Sequence, residues 1–296
     1  MKVRLGIALL CSLLVVSSLG AGEKEKGSFD SKGVKIHYTI EGKGEPVLLI
    51  HGFAATTQFQ WELPGIVRAL AKDHRVIAMD VRGHGKSDKP TDPKKYGPEM
   101  AEDAVRLLDH LKIKKAHVVG YSMGALITGK LMAMHPDRLL SATLGGAGVI
   151  PAGTKLPPFV DELAESLEKG KGIGPLLIAL TPPGKPKPSE FLLRQTNLMF
   201  GGERGKVLGA VVRSWKDLAV PKEKLKANKV PALAIVGTSD PLKQSVDLIK
   251  DDLANLEIIT VEGGDHMSTF ASPKFVESLR KFLEEHAQKR PVGASG

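Results

Sequence analysis

Beyond residue 28 the chain alternates short apolar runs with longer amphipathic stretches. The runs Val34–Ile40, Pro46–Ile50, Arg75–Asp80, Ala116–Gly120, Ser141–Gly145, Pro231–Gly237 and Glu257–Val261 read as strands. Several are continuously apolar (VLLI, HVV, ALAIV), the pattern of strands covered on both faces of a parallel sheet. Between them, Ile66–Lys72, Glu99–Leu111, Met123–His135, Pro241–Leu253 and Pro273–Glu285 carry apolar residues at helical spacing. Alternating β and α units imply right-handed crossovers. The expected fold class is therefore α/β, a doubly wound, mostly parallel sheet of about eight strands.

One region breaks the alternation. Between Gly145 and Pro231 no strand pattern appears; the proline-rich stretches Pro151–Pro158 and Thr181–Pro188 separate helical pieces at Asp161–Gly170, Glu190–Phe200 and Lys206–Asp217. So long a departure reads as an excursion that leaves the sheet and returns to it. The expected organisation is a core in two parts, 23–148 and 223–288, with a helical lid inserted over 149–222 and a flexible tail over 289–296.

The first residues do not belong to that pattern. Met1–Arg4 carries two positive charges, Leu5–Val16 is almost unbroken apolar chain, and small and polar residues follow before the charged stretch Glu23–Lys26. This is the order of a signal peptide over residues 1–22, so the mature protein is expected to be exported, periplasmic or extracellular, with no stable membrane span. An uncleaved N-terminal anchor is the competing reading. Cys11, the only cysteine, falls inside the leader, which leaves the mature chain without a disulfide or a thiolate metal site.

Composition is ordinary for a globular protein, with 42% hydrophobic and 25% charged residues. The net charge is +9, but the lysines are scattered and aromatics make up 5%, so a nucleic-acid groove is not expected. No phosphate-binding loop and no metal-ligand spacing occurs, and neither a cofactor nor a metal is expected.

The chemistry concentrates in Gly120-Tyr121-Ser122-Met123-Gly124, a G-x-S-x-G run between the strand AHVV and the helical pattern ALITGKLMAMH. In that setting the serine sits on a sharp strand-to-helix turn, with its hydroxyl at the sheet edge and the helix N-terminus beside it. A serine hydroxyl is a weak nucleophile and needs a base, itself oriented by a third group. Asp240 follows the strand PALAIVG and His266 follows IITVEG, so both leave strand ends in the chain order that an elbow serine requires. Asp265 competes with Asp240, or else shapes the turn before His266. His51 and His84 lie in glycine-rich loops and read as loop-organising residues. Asp80 and Arg82 are expected to form a structural salt bridge beneath the site.

From Phe29 to about Ala287 the chain resembles the α/β-hydrolase family, in its serine hydrolase and esterase branch. The resemblance rests on the elbow, on His51-Gly52-Phe53 and on Asp80-Val81-Arg82-Gly83-His84-Gly85-Lys86-Ser87. It implies a catalytic triad of Ser122, Asp240 and His266 and an oxyanion hole formed by the backbone N–H groups of Phe53 and Met123. Family branches that dehalogenate or open epoxides carry a carboxylate nucleophile, where this chain has Ser122.

The expected function is hydrolysis of carboxylic esters through an acyl-enzyme, with a small-molecule ester or lactone as substrate. A lactonase or a carbon–carbon bond hydrolase uses the same triad, and a non-enzymatic ligand-binding protein on this scaffold is the alternative from another class. Phe159, Phe191, Phe200 and Trp215 are the candidates to line the substrate pocket; each alternatively packs the lid onto the core.

Overall fold

The computed structural model describes residues 24–288; the leader expected over 1–22 and the tail expected over 289–296 lie outside the described residues. Eight strands form one sheet: β1 (Glu25–Asp30), β2 (Lys35–Glu41), β3 (Glu45–Ile50), β4 (His74–Met79), β5 (Ala116–Tyr121), β6 (Leu139–Gly145), β7 (Ala232–Gly237) and β8 (Leu256–Val261). Their spatial order is β1-β2-β4-β3-β5-β6-β7-β8. The β1–β2 and β2–β4 pairs are antiparallel and all others parallel. The mostly parallel, doubly wound reading holds.

The apolar runs follow from burial on both faces. In β3, Leu48 and Ile50 join a core with helices α2 (Pro98–His110) and α3 (Met123–Met134). Val47 and Leu49 join the opposite core, with α1 (Ile66–Leu70) and α10 (Pro273–Glu285). Side chains alternate across a strand, so a strand with two apolar faces shows no alternation in sequence.

Between β6 and β7 the chain leaves the sheet. It forms α4 (Phe159–Glu168), α5 (Gly174–Ala179), α6 (Glu190–Phe200), α7 (Gly202–Arg213) and α8 (Lys222–Lys226). The two ends of the excursion are tied together: Val220 N–H donates to Ile150 O at 2.8 Å and Ala152 N–H to Val220 O at 2.7 Å. Helix α4 packs on α7, and Val160, Leu163, Leu167, Leu208 and Val211 join the core shared with α2 and α3.

Three local expectations are corrected. β1, which no apolar pattern announces, is a polar edge strand (EKGSFD) in which Phe29 alone is buried. The helix expected over Pro241–Leu253 is only α9 (Lys243–Asp247); the chain then continues in isolated turns of mixed i→i−3 and i→i−4 bonds, with Ile249 and Leu253 buried. Arg82 pairs with Asp103 of α2 rather than with Asp80.

That pair is buried and bidentate. Arg82 Nε and Nη2 each donate to the Asp103 carboxylate at 2.6 Å, and Ser31 Oγ donates to it at 2.5 Å. Both side chains are almost fully enclosed. Removing one partner of such a pair strands a charge in the interior, at a cost of about 3–5 kcal/mol. Asp103→Ala should therefore lower the unfolding free energy in urea by about that amount. Arg82→Met combined with Asp103→Leu should recover most of the loss. A single-variant loss below about 1 kcal/mol would contradict this role for the pair.

Candidate active site

The candidate triad and oxyanion-loop residues stand just beyond the carboxyl ends of parallel strands, where an open α/β sheet exposes its loops. Ser122 follows β5, His51–Phe53 follow β3, Asp240 follows β7 and His266 follows β8. The parallel direction of β3, β5, β7 and β8 brings these four segments to one sheet edge.

Ser122 sits at φ 56°, ψ −117°, a conformation that side-chain-bearing residues rarely adopt. The surrounding backbone holds it there. Its N–H donates to Gly145 O at 2.8 Å, and its carbonyl accepts from Ala125 N at 2.9 Å and Leu126 N at 3.2 Å. The flanking glycines are required by close approach. A Cβ on Gly124 would overlap the Ile50 carbonyl oxygen, and one on Gly120 would overlap the Gly124 carbonyl and the Thr128 hydroxyl. Only a chain without side chains there can seat α3 against the β3 loop.

Asp240 and His266 meet as the spacing suggested. His266 Nδ1 lies 2.8 Å from Asp240 Oδ2, and both residues are buried. The other Asp240 oxygen accepts from Leu242 N at 2.9 Å, which fixes the carboxylate plane. Asp265 takes no part in that contact. Its Oδ1 accepts from Met267 N, Ser268 N and Ser268 Oγ at 2.7–3.0 Å, capping the turn that carries His266. Those bonds hold its carboxyl below the usual range. The two loops are laced together by Ser239 N to Gly264 O at 2.9 Å and Gly263 N to Thr238 Oγ1 at 2.8 Å.

Two positioning residues carry no sequence signal of their own. Tyr121, one residue before the serine, donates its hydroxyl to His266 O at 2.7 Å and packs its ring 5.4 Å from the imidazole. Burial pushes its phenol well above the usual value, so the donor proton stays. Gln60 is buried and accepts from Gly52 N at 2.7 Å, bracing the loop that carries Phe53. Both contacts join residues distant or non-periodic in sequence.

The N–H groups of Phe53 and Met123 have no hydrogen-bond acceptor among the described residues, while Gly52, Ala54 and Ala55 donate to Gln60, His84 and Gly52. The Met123 N–H stands at the first turn of α3, where the helix dipole adds partial positive charge. Neither Ser122 Oγ nor His266 Nε2 has a partner among the described residues. A serine–imidazole contact often tightens only when substrate is bound.

His51 and His84 are structural. His51 Nε2 accepts from Val81 N at 3.0 Å and His84 Nε2 accepts from Ala54 N at 3.1 Å, so both rings are neutral and protonated on Nδ1. Burial lowers both, His84 to about 3. Asp80, 4.0 Å from the neutral His51 ring, instead accepts from Thr57 N and Lys86 N at 2.9 Å each.

The candidate pocket residues fall apart. Trp215 is buried and meets the Phe53 ring edge-on at 5.2 Å, beside the candidate oxyanion loop. Phe159 and Phe200 pack against the large core, and Arg204 lies 4.7 Å above the Phe200 ring. Phe191 is 71% exposed and points outward from α6, so the structure does not bring it to the site.

A profile of the family described as alpha/beta hydrolase fold matches residues 45–171. An epoxide hydrolase of Caballeronia sordidicola is 36% identical over 126 residues, 42% of this chain and 37% of that protein. A 2-hydroxymuconate semialdehyde hydrolase of Pseudomonas sp. (strain CF600) is 37% identical over 120 residues, 40% of this chain and 42% of that protein. The chain thus spans less than half the length of these curated relatives. An alpha/beta hydrolase enzyme from a Medee basin deep-sea metagenome library superposes with a TM-score of 0.74 at 20% identity, covering 90% of this chain and all of that one. The fold is that of the alpha/beta hydrolases.

The neutral state of His84 has a pH consequence. Unfolded histidine takes up a proton near pH 6.5, whereas native His84 does so only near pH 3. The unfolded state therefore binds more protons between these values, and the associated stability, complete above about pH 6.5, is lost as pH falls toward 3. His84→Gln keeps an acceptor without a titrating group. Its urea midpoint should fall less between pH 7 and pH 4 than that of the unmodified protein; an equal or larger fall would show that His84 is not held neutral.

Proposed function

We propose that this protein is a serine hydrolase that cleaves carboxylic esters through an acyl-enzyme. The observation that carries the reading is the 2.8 Å contact between His266 Nδ1 and Asp240 Oδ2 at the sheet edge that also bears the strained Ser122. With Nδ1–H donated to Asp240, the lone pair of His266 is on Nε2, ready to take a proton.

In this mechanism His266 Nε2 accepts the Ser122 proton as Oγ attacks the ester carbonyl. The carbonyl oxygen becomes an alkoxide held by the Phe53 and Met123 N–H groups, each donor being worth about 10²–10³ in kcat. The tetrahedral species collapses, the alcohol leaves with the proton from His266, and the acyl group remains on Ser122. Water, deprotonated by His266, then releases the acid. Asp240 holds the tautomer and stabilises the imidazolium without taking the proton. The neutral rings of His51 and His84 brace the oxyanion loop without adding charge next to it.

A carbon–carbon bond hydrolase is the second reading, supported by the 37% identity to a 2-hydroxymuconate semialdehyde hydrolase. Lactone hydrolysis would use the same steps as ester hydrolysis. Epoxide opening is disfavoured despite the similarity to an epoxide hydrolase, because its elbow nucleophile is a carboxylate and this chain has Ser122. We further propose that residues 1–22 act as an export leader and that the excursion between β6 and β7 serves as a lid, with Trp215 beside the acyl pocket.

Steady-state hydrolysis of p-nitrophenyl esters tests the triad. Ser122→Ala should abolish turnover with an unchanged unfolding midpoint, and Asp240→Asn should lower kcat by about 10³–10⁴. Turnover in Ser122→Ala equal to that of the unmodified protein would sink the assignment. Cleavage of a vinylogous 1,5-diketone with no ester turnover would favour the second reading.

A further inference from the structure

Helix α6 carries its apolar residues on the wrong side for a helix that merely packs on a core. At 100° per residue, Leu198, Phe191, Gln195, Met199 and Leu192 share one arc, and Leu193, Thr196 and Phe200 the opposite one. The second arc faces the protein, with Thr196 buried and Leu193 and Phe200 half-buried. The first faces solvent: Leu198 is 82% exposed, Phe191 71%, Met199 60% and Leu192 46%. Ile178 of the neighbouring α5 is 43% exposed. Helix α10 follows the opposite rule, with Lys274, Glu277, Arg280 and Lys281 on its water-facing side. Contiguous apolar surface on a water-facing helix marks a docking surface.

Charge selects the occupant. The excursion that carries the arc also carries Lys171, Lys185, Lys187, Arg194, Arg204 and Lys206, all exposed, with Lys185 and Lys187 just before the start of α6. The acids nearby, Glu190 and Glu203, are taken up by Arg194 and Lys206. Lys171, Lys185, Lys187 and Arg204 have no carboxylate partner among the described residues. Two copies of this face would oppose lysine to lysine, whereas an anionic lipid surface satisfies the basic rim and the apolar arc together.

We propose that α6 docks this protein on anionic lipid surfaces, with Leu198, Met199, Phe191 and Leu192 entering the interface and Lys185 and Lys187 contacting the headgroups. The docking face belongs to the same excursion that sets Trp215 against Phe53, so it would orient the sheet edge carrying Ser122 relative to the lipid. Docking of this kind does not depend on the reaction assigned to Ser122.

Co-sedimentation of the full chain with phosphatidylglycerol/phosphatidylcholine vesicles tests it. The unmodified protein should bind these vesicles, and Leu192→Gln/Leu198→Gln/Met199→Gln should bind at least ten-fold more weakly. Its far-UV spectrum and unfolding midpoint should be retained, since glutamine keeps helix propensity at exposed sites. Lys185→Glu/Lys187→Glu should weaken binding by about five-fold or more per lysine, and added salt should weaken the unmodified protein likewise. All variants share residues 1–22, so a difference in binding between them reports on the substituted residues alone. Equal binding by the unmodified protein and the triple-glutamine variant overturns the proposal, as does failure of the unmodified protein to bind. A dimer that the triple variant converts to a monomer, with vesicle binding unaltered, overturns it in favour of a second copy of the chain.

Discussion

The N-terminal turn of α3 lies so close to the end of β3 that the Gly124 position has no room for a side chain beside the Ile50 and His51 carbonyls. This close approach of two backbones is the constraint on which the site depends. It forces Ser122 into its strained conformation, leaves the Met123 N–H at an open helix end, and sets the Phe53 loop alongside. The strain is tolerable because hydrogen bonds lock it: Ser122 N–H donates to Gly145 O at the end of β6, and the Ser122 carbonyl accepts from Ala125 and Leu126 N–H in the first turn of α3.

Around that contact the protein builds two rigid brackets. On one side, neutral His51 and His84, the carboxylate of Asp80 and the amide of Gln60 saturate the loop amides of residues 52, 54, 57 and 81, so that the Phe53 N–H is left to point elsewhere. On the other, Tyr121 ties the end of β5, next to Ser122, to the His266 carbonyl, while Asp265 caps the turn below the imidazole. Both brackets are polar networks in a buried setting, where a satisfied donor or acceptor is rigid and an orphaned one is costly. The Arg82–Asp103 pair anchors the Asp80–Ser87 loop to α2 from beneath.

Much of this was legible in the sequence because it depends on local rules. The two-sided apolar runs announced parallel strands, the G-x-S-x-G run announced a tight turn, and the chain order put Asp240 and His266 at later strand ends. What escaped was non-local or lacked periodicity. β1 is polar and pairs only at the edge, so no apolar pattern marks it. Arg82 has acids both near and far in sequence, and only the fold shows that Asp103 of α2 is the partner. The bond from Gly52 N–H to Gln60 Oε1 depends on an irregular helical turn. Phe191, Phe200, Phe159 and Trp215 look alike as apolar residues in a helical segment; packing alone separates Trp215, against Phe53, from Phe191, in solvent.

If this geometry makes a nucleophile, it does so for one hydroxyl among all the serines. Labelling the folded protein with a fluorophosphonate, followed by intact-mass measurement and peptide mapping, tests that most directly. The triad assignment predicts a single adduct, on the peptide containing Ser122, that does not form when the protein is denatured in urea beforehand. A folded protein that takes up no label, or takes it up at another serine, would contradict it.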